Sequence, residues 1–169
     1  SYKTLNKDNS KLNCRIKGFR NYSPKRIILD NKLQTKTSSY IMKTANKDNT
    51  IIFYNQANKS KFLDFKKKKI QLIRSKVNKQ GKFDIKDILK KLYKYNCRNL
   101  LIEGGDILTG HLLKNRIFNK FYLYKSSKNI SKKIEYLKFD SLDVLEKNYK
   151  KKFNLNLFLG KDKITLYKN

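Results

Sequence analysis

Two adjacent glycines, Gly104 and Gly105, separate a short apolar run from a segment of helical character. The run at residues 100–102 predicts a buried strand. The following segment predicts a helix with Asp106 as its N-cap, and glycine in the turn allows positive φ and a close approach of a ligand to the backbone. The free N–H groups of such a helix start suit a phosphate, and Glu103 ends the strand where ligands bind in open α/β sheets. A turn of this kind is also a common structural connection, so function needs support from the rest of the chain.

The strongest helical pattern covers residues 84–95. Apolar side chains recur there at helical spacing, and Asp84 and Asp87 place negative charge at the positive end of the helix dipole. This helix leads into the predicted strand 100–102, which is typical of the strand–helix–strand unit of a parallel sheet. Polar turn formers without any period predict a loop over residues 1–15. Further strands are predicted at residues 25–31, 49–55, 70–74, 120–124, 153–157 and 163–167.

The order of these elements predicts an α/β fold. We expect a mixed sheet that is mostly parallel, with an antiparallel C-terminal hairpin and flanking helices, in a single domain over residues 1–169. Asp30 and Asn31 lie at the carboxyl end of the strand predicted within residues 25–31, and Glu103 lies at the carboxyl end of the strand at 100–102. Because carboxyl ends of parallel strands share one edge of a sheet, we expect these three polar groups to lie near one another.

The chain is strongly basic, with 42 Lys and Arg against 13 Asp and Glu and a formal charge of +29. Such a balance favours nucleic acid or an anionic membrane surface as a partner. Only six of the basic residues are Arg, the type preferred for base contacts, and the 36 Lys are spread along the chain beside 19 Asn. We therefore interpret most of the charge as a solvated surface, and a basic nucleic-acid-binding module remains the alternative from another class.

Other sequence signals limit the chemistry. Cys14 and Cys97 are expected to be reduced, and two Cys with one His give no metal-ligand spacing, so we expect no metal site. No stretch has the length of a membrane span and no signal-peptide pattern occurs, so we expect no membrane partner and a cytoplasmic protein. His111, on the predicted helix, is interpreted as a residue that at most lines a ligand pocket.

Four segments together resemble a known family. They are Thr4 with residues 8–15 (DNSKLNCR), residues 23–31 (SPKRIILDN), residues 101–105 (LIEGG) with the following helix, and residues 119–124 (NKFYLY). In this combination the chain resembles the reductase domain of the bifunctional riboflavin-biosynthesis deaminase-reductase, which has the dihydrofolate-reductase-like fold. The family's reductase domain begins with a strand, a helix and a second strand before the Thr4 position, so the resemblance implies a chain truncated at its N-terminus.

The resemblance implies an NADPH-dependent oxidoreductase. It reduces the ribosyl group of 5-amino-6-(5-phosphoribosylamino)uracil to a ribityl group. A reductase of the same fold acting on another pyrimidine or a pterin remains open. The implied partners are the phosphorylated pyrimidine, an N-terminal deaminase domain in the full-length protein and a second copy in a homodimer, with nucleic acid not expected.

The resemblance also implies site residues, position by position. Substrate-contacting positions match Leu12, Arg15 and Glu103, and Arg15 suits a phosphate because its guanidinium offers a fork of donors. No proton donor or other catalytic residue is assigned, because the hydride chemistry belongs to the cofactor. The positions that match cofactor contacts are Thr4, Asp8, Asn31, Gly105, Asp106, Ile107, Leu108, Thr109, Gly110 and His111.

Overall fold

A computed structural model describes residues 2–128, 140–155 and 160–169, and it divides the chain into two compact units, Ser1–Leu100 and Leu101–Asn169. The first unit contains helices α1 (Tyr2–Asp8), α2 (Tyr40–Lys43), α3 (Lys59–Lys67) and α4 (Ile85–Lys94) and strands β1 (Arg26–Leu29), β2 (Thr50–Tyr54) and β3 (Gln71–Arg74). The second unit contains helices α5 (Asp106–Lys114) and α6 (Ser141–Asn148) and strands β4 (Lys120–Lys125), β5 (Lys152–Leu155) and β6 (Lys163–Lys168).

The first unit is built on a parallel sheet in the order β1-β2-β3. The central strand β2 carries the apolar residues Ile51, Ile52 and Phe53 in its middle, as expected for a strand covered on both faces. Ile52 faces a core with Ile28, and Ile51 and Phe53 face a second core with Ile73 on the opposite side. The three strands predicted between residues 25 and 74 are therefore confirmed.

Helix α4 confirms the strongest helical prediction. The Asp84 carboxylate caps it by accepting hydrogen bonds from the backbone N–H groups of Lys86 at 2.9 Å and Asp87 at 3.3 Å. Its apolar stripe is buried, and Ile88 and Leu92 pack into the core that contains Ile51 and Phe53.

The loop predicted over residues 1–15 is wrong at its start, where α1 forms. A single apolar side chain, Leu5, anchors this helix in the core beside Ile28, and one buried residue is too few to produce a periodic signal. The Asn6 side chain adds two contacts with a later segment of the chain, donating to the Gln34 carbonyl and accepting from the Lys36 N–H, each at 2.9 Å. Tertiary contacts thus override a weak local preference.

The second unit is built on an antiparallel sheet in the order β4-β6-β5. One face packs Tyr167 of β6 against Leu113, Leu145 and Tyr149. The antiparallel C-terminal strands are confirmed, although residues 156 and 157 of the predicted strand lie outside the described residues. The α/β class with parallel strands followed by antiparallel ones is confirmed, and the described strands form two three-stranded sheets, one of each kind.

The strand predicted at residues 100–102 is wrong. Residues 97–105 belong to no helix or strand, and Leu101 is 84 % exposed. An apolar run becomes a strand only where a neighbouring strand pairs with it, and no described strand does so here. Glu103 consequently does not stand at the end of a strand.

Candidate functional site

The carboxyl edge of the parallel sheet carries Asp30 and Asn31. Asp30 is fully buried, and its carboxylate accepts hydrogen bonds from the Gln34 N–H at 2.8 Å and from the N–H and hydroxyl of Thr35, both at 2.7 Å. These bonds fix the turn after β1, so Asp30 has a structural role. The carbonyl of Asn31 is fixed as well, since it accepts two backbone N–H groups from the chain that follows β2.

The Asn31 side chain is hydrogen-bonded at its nitrogen and unpaired at its oxygen among the described residues. Its Nδ2 donates to the Gly81 carbonyl at 3.1 Å, whereas its Oδ1 is buried and has no hydrogen-bond partner among the described residues. Gly81 has φ +72°, and a Cβ there would lie 3.3 Å from Nδ2, so both conformation and space favour glycine. A buried acceptor without a donor is costly, and a ligand that donates a hydrogen bond would satisfy it.

Helix α1 displays Thr4 and Asp8 to solvent. The two residues are one helical turn apart and therefore share a face. The contacts of Asn6 hold α1 beside residues 34–36, the segment that follows Asn31. Within the first unit, these three predicted cofactor contacts are thus carried by connected segments.

Leu12 and Arg15 lie on the loop after α1. Leu12 is half-buried with φ +47° and lines a cavity of about 180 Å³. Arg15 is exposed to solvent. The loop therefore places an apolar side chain at a cavity and leaves a guanidinium free to approach a ligand.

The start of α5 differs from its prediction in the capping residue. Gly105 is the N-cap, with φ −73° and ψ 177°, and Asp106 is the first helical residue. Asp106 as N-cap is therefore wrong, because its carboxylate is used elsewhere: it accepts hydrogen bonds from the Ser141 N–H at 3.1 Å and hydroxyl at 2.5 Å. No side chain of the described residues caps the first turn of α5, so its N–H groups lack the usual capping acceptor there.

Neither Gly104 nor Gly105 has positive φ, so that part of the turn prediction is wrong. A Cβ on Gly104 would lie 3.1 Å from the Leu108 side chain, which favours glycine there for packing. A Cβ on Gly105 would meet nothing within 4 Å. The space that a Cβ on Gly105 would take beside this helix start is therefore free of described atoms, and the approach of a ligand there stays a prediction.

The remaining predicted contacts on α5 divide by exposure. Ile107 and His111 are exposed, Leu108 and Gly110 are half-buried, and Thr109 is buried with its hydroxyl 3.4 Å from the Gly104 carbonyl. Glu103 is exposed ahead of this helix. The second unit thus contains Glu103 and Gly105–His111, the first unit contains the other predicted contacts, and the proximity of Asp30, Asn31 and Glu103 stays a prediction.

Arg26 is a polar residue that sequence reasoning missed. It is the first residue of β1, only 7 % exposed, and it lines the cavity that Leu12 borders. Burial lowers the pKa of its guanidinium from the ordinary value, while Tyr40 acts in the opposite direction. The sequence signal that could have identified this residue is an arginine directly before two isoleucines and a leucine. That order places a charge at the start of a strand.

The described residues contain neither a metal-ligand cluster nor a membrane-spanning helix. Among residues 2–128, 140–155 and 160–169, no group of three or more His, Cys, Asp or Glu is arranged to hold a metal ion. Within the same part of the chain, no helix combines the length and apolar character needed to cross a bilayer. Cys14 and Cys97 are both free thiols.

Comparisons with known proteins converge on one family. Residues 1–133 match the family model described as RibD C-terminal domain. A curated relative, the riboflavin biosynthesis protein RibD of Actinobacillus pleuropneumoniae, is 28% identical over 130 residues, which cover 77% of this chain and 34% of the relative. The chain therefore spans about a third of the length of that protein.

Solved structures agree on the fold. Acinetobacter baumannii RibD (form 2) superposes with a TM-score of 0.71 at 16% identity, covering 98% of this chain and 44% of that one. A pyrimidine reductase-like protein from Corynebacterium diphtheriae gives a TM-score of 0.66 at 16% identity, covering 98% and 72% of the two chains. At these identities the likeness establishes the fold.

Proposed function

Because this chain belongs to the RibD C-terminal domain family, we propose that it is an NADPH-dependent reductase of riboflavin biosynthesis. The proposed reaction reduces the ribosyl group of 5-amino-6-(5-phosphoribosylamino)uracil to a ribityl group. The observation that carries the proposal is the uncapped start of α5, beside the open backbone of Gly105, within the matched residues.

The proposed cofactor contacts fit an anionic dinucleotide. The first-turn N–H groups of α5 and the positive end of its dipole suit a diphosphate, and a Cβ on Gly105 would meet no described atom within 4 Å. In the first unit, the buried and unpartnered Oδ1 of Asn31 suits a hydroxyl or amide donor of the cofactor, and the exposed Thr4 and Asp8 offer further hydrogen bonds. When bound, NADPH supplies the hydride, and the chain's part is to orient the two reactants.

The proposed substrate contacts fit a phosphorylated sugar joined to a base. The Arg15 guanidinium is exposed and always charged, so it can donate two parallel hydrogen bonds to the phosphate. The Glu103 carboxylate is exposed as well and can accept hydrogen bonds from sugar hydroxyls or from the base. Leu12, on the same loop as Arg15, is half-buried and offers an apolar surface.

The proposal also covers the domain organisation, the oligomeric state and the location of the protein. The family match runs across the boundary between the two units, which supports treating them as one reductase domain. The greater length of the RibD relative leaves room for the proposed N-terminal deaminase domain. A homodimer and a cytoplasmic location complete the proposal.

The test is a titration of the chain with NADPH and with NADH, followed by the fluorescence of the dinucleotide. The chain contains no Trp, so protein emission does not interfere. We expect saturable NADPH binding that persists at about 0.15 M salt, where exposed charges more than about 8 Å apart are largely screened, and turnover when the phosphorylated pyrimidine is added. Binding that disappears with salt would instead indicate general attraction of anions to the basic surface.

A further inference from the structure

The buried cation Arg26 is surrounded by neutral oxygen atoms. Its Nε and Nη2 contact the Thr50 hydroxyl at 3.2 and 2.9 Å, and Nη1 donates to the Thr44 hydroxyl at 2.8 Å. Nη2 also contacts the Thr44 carbonyl at 3.0 Å and Asn49 Oδ1 at 2.9 Å. Nη1 carries two N–H groups but has one acceptor among the described residues, so one donor is left over.

Among the described residues, no acidic side chain pairs with this charge. Buried arginine is normally paired with a carboxylate, because burying an unpaired charge is costly and the guanidinium does not give up its proton. The salt bridge found among the described residues joins Lys91 to Asp87, and Asp48, in the turn that supplies Asn49, is exposed. The lowered pKa of Arg26 reflects the same uncompensated burial.

One residue that lines the cavity carries a second unsatisfied group. Asn13 lines it together with Arg26, and its Oδ1 is buried without a hydrogen-bond partner among the described residues. The ammonium group of Lys11 lies 5.4 Å from the ring centre of Tyr40, another lining residue. None of the lining residues is acidic; they are Leu12, Asn13, Ser23, Pro24, Arg26, Tyr40, Thr44 and Asn49.

Size and location also indicate a separate subsite. A cavity of about 150 Å³ holds a benzene molecule. The cavity of about 180 Å³ beside Arg26 is therefore large enough for the five heavy atoms of a phosphate group and the atoms bonded to it. Arg26 begins β1, whereas Asn31 follows its other end, so the cavity lies at the amino edge of the sheet. A four-residue strand is about 10 Å long, which separates the cavity from the carboxyl edge proposed for the cofactor.

We propose that this cavity binds a phosphate-type oxyanion carrying at least one hydroxyl, with Arg26 as its charge partner and Asn13 as the acceptor for the hydroxyl. Inorganic phosphate and the phosphate end of a sugar phosphate share this chemistry. Leu12 connects the cavity to the proposed substrate contacts, but the proposal requires neither cofactor nor turnover. The proposal of phosphate binding and the proposal of reductase activity can therefore each be refuted without affecting the other.

The experiment titrates the full chain with inorganic phosphate at constant ionic strength and follows side-chain NMR signals of Arg26 and Asn13. We expect saturable shifts at these two side chains. Asn13→Asp adds a carboxylate at the cavity wall, and repulsion should weaken phosphate binding about tenfold or more, since unit charges 4 Å apart interact by several kcal/mol near a protein surface. Asn58→Asp makes the same charge change at the N-cap of α3, where either residue caps well, and should leave binding unchanged.

A second pair of variants tests the proposal if Asn13→Asp does not fold. Leu12 has positive φ, which Asn and Asp tolerate better than Leu, so Leu12→Asn and Leu12→Asp should fold equally well and differ only in charge. We expect the Asp variant alone to lose phosphate binding. If ribose 5-phosphate saturates the NMR shifts at a lower concentration than inorganic phosphate does, the ligand is a sugar phosphate. If both saturate them at the same concentration, the ligand is the free ion. Shifts that do not saturate, or equal losses in the Asp and Asn variants, would overturn the proposal.

Discussion

Replacing Asp30 by Asn should destabilise the first unit. The two side chains have nearly the same shape, but an amide has one acceptor oxygen where the carboxylate has two. The native carboxylate accepts the Gln34 N–H on Oδ1 and both the N–H and hydroxyl of Thr35 on Oδ2. In either orientation of the amide, one backbone N–H faces another donor in a fully buried site.

The cost follows from the groups left unpaired. The Thr35 hydroxyl can rotate to accept from the new NH₂ group, so a single backbone N–H remains unsatisfied. Losing a hydrogen bond to a charged group costs about 1.5–3 kcal/mol and an unsatisfied buried donor about 1–3 kcal/mol, and because these terms overlap we expect a loss of about 2–4 kcal/mol. Asp64→Asn, on the exposed side of α3, is the control and should stay within about 0.5 kcal/mol of wild type.

The assay is urea unfolding followed by circular dichroism, combined with amide hydrogen exchange. Exchange separates the two units, which is necessary because they need not unfold together. We expect faster exchange in residues 2–100 of Asp30→Asn and unchanged exchange in residues 101–128. A loss below about 1 kcal/mol, the scale of one ordinary hydrogen bond, or an equal loss in Asp64→Asn would refute the structural role of Asp30.

Three further predictions concern the proposed site and the second unit. Arg15→Ala should weaken substrate binding about tenfold or more, the scale of one charged hydrogen bond, with little change in NADPH affinity; equal losses in two calorimetric titrations would contradict its assignment. Glu103→Gln should lower kcat while NADPH still binds, and unchanged turnover would remove Glu103 from the site. Burial raises the pKa of the Tyr149 and Tyr167 hydroxyls above their ordinary value, so the stability of the second unit should persist below about pH 10, the unfolded tyrosine pKa, and fall as pH rises through the folded pKa. Absorbance at alkaline pH should show both groups titrating later than exposed tyrosines, and simultaneous titration of all tyrosines would contradict the burial effect.

Local signals in the sequence predicted most elements of the fold. The stripe and acidic cap of α4 predict a helix by themselves, and the apolar strands β1, β2 and β3 have lengths and boundaries that separate them from helices. The alternation of β5 and β6 likewise indicates strands with one exposed face. Each of these elements carries enough information in four to ten residues to be recognised without knowledge of its neighbours.

The two misjudged elements depend on partners far away in the chain. Helix α1 is fixed by Leu5 and by Asn6, whose amide contacts residues about 30 positions later, and no local pattern encodes that. The run at residues 100–102 has a strand-like pattern, but its pairing requires an adjacent strand. In both segments, the local sequence pattern favours one conformation, and tertiary contacts decide whether that conformation forms.

The polar residues at the two ends of β1 also differ in a property that depends on tertiary contacts. A residue type and its place at a strand end predict that a side chain reaches the ligand edge of a sheet, but not whether its hydrogen bonds are already taken. Asp30 and Asn31 are neighbours at that edge, yet both oxygens of the Asp30 carboxylate accept hydrogen bonds from the following turn, whereas Oδ1 of Asn31 has no partner among the described residues. Arg26, at the other end of the same strand, combines burial with a spare donor. Unsatisfied hydrogen-bonding capacity therefore separates the binding candidates Arg26 and Asn31, at the two ends of β1, from the structural residue Asp30, and that capacity depends on tertiary contacts.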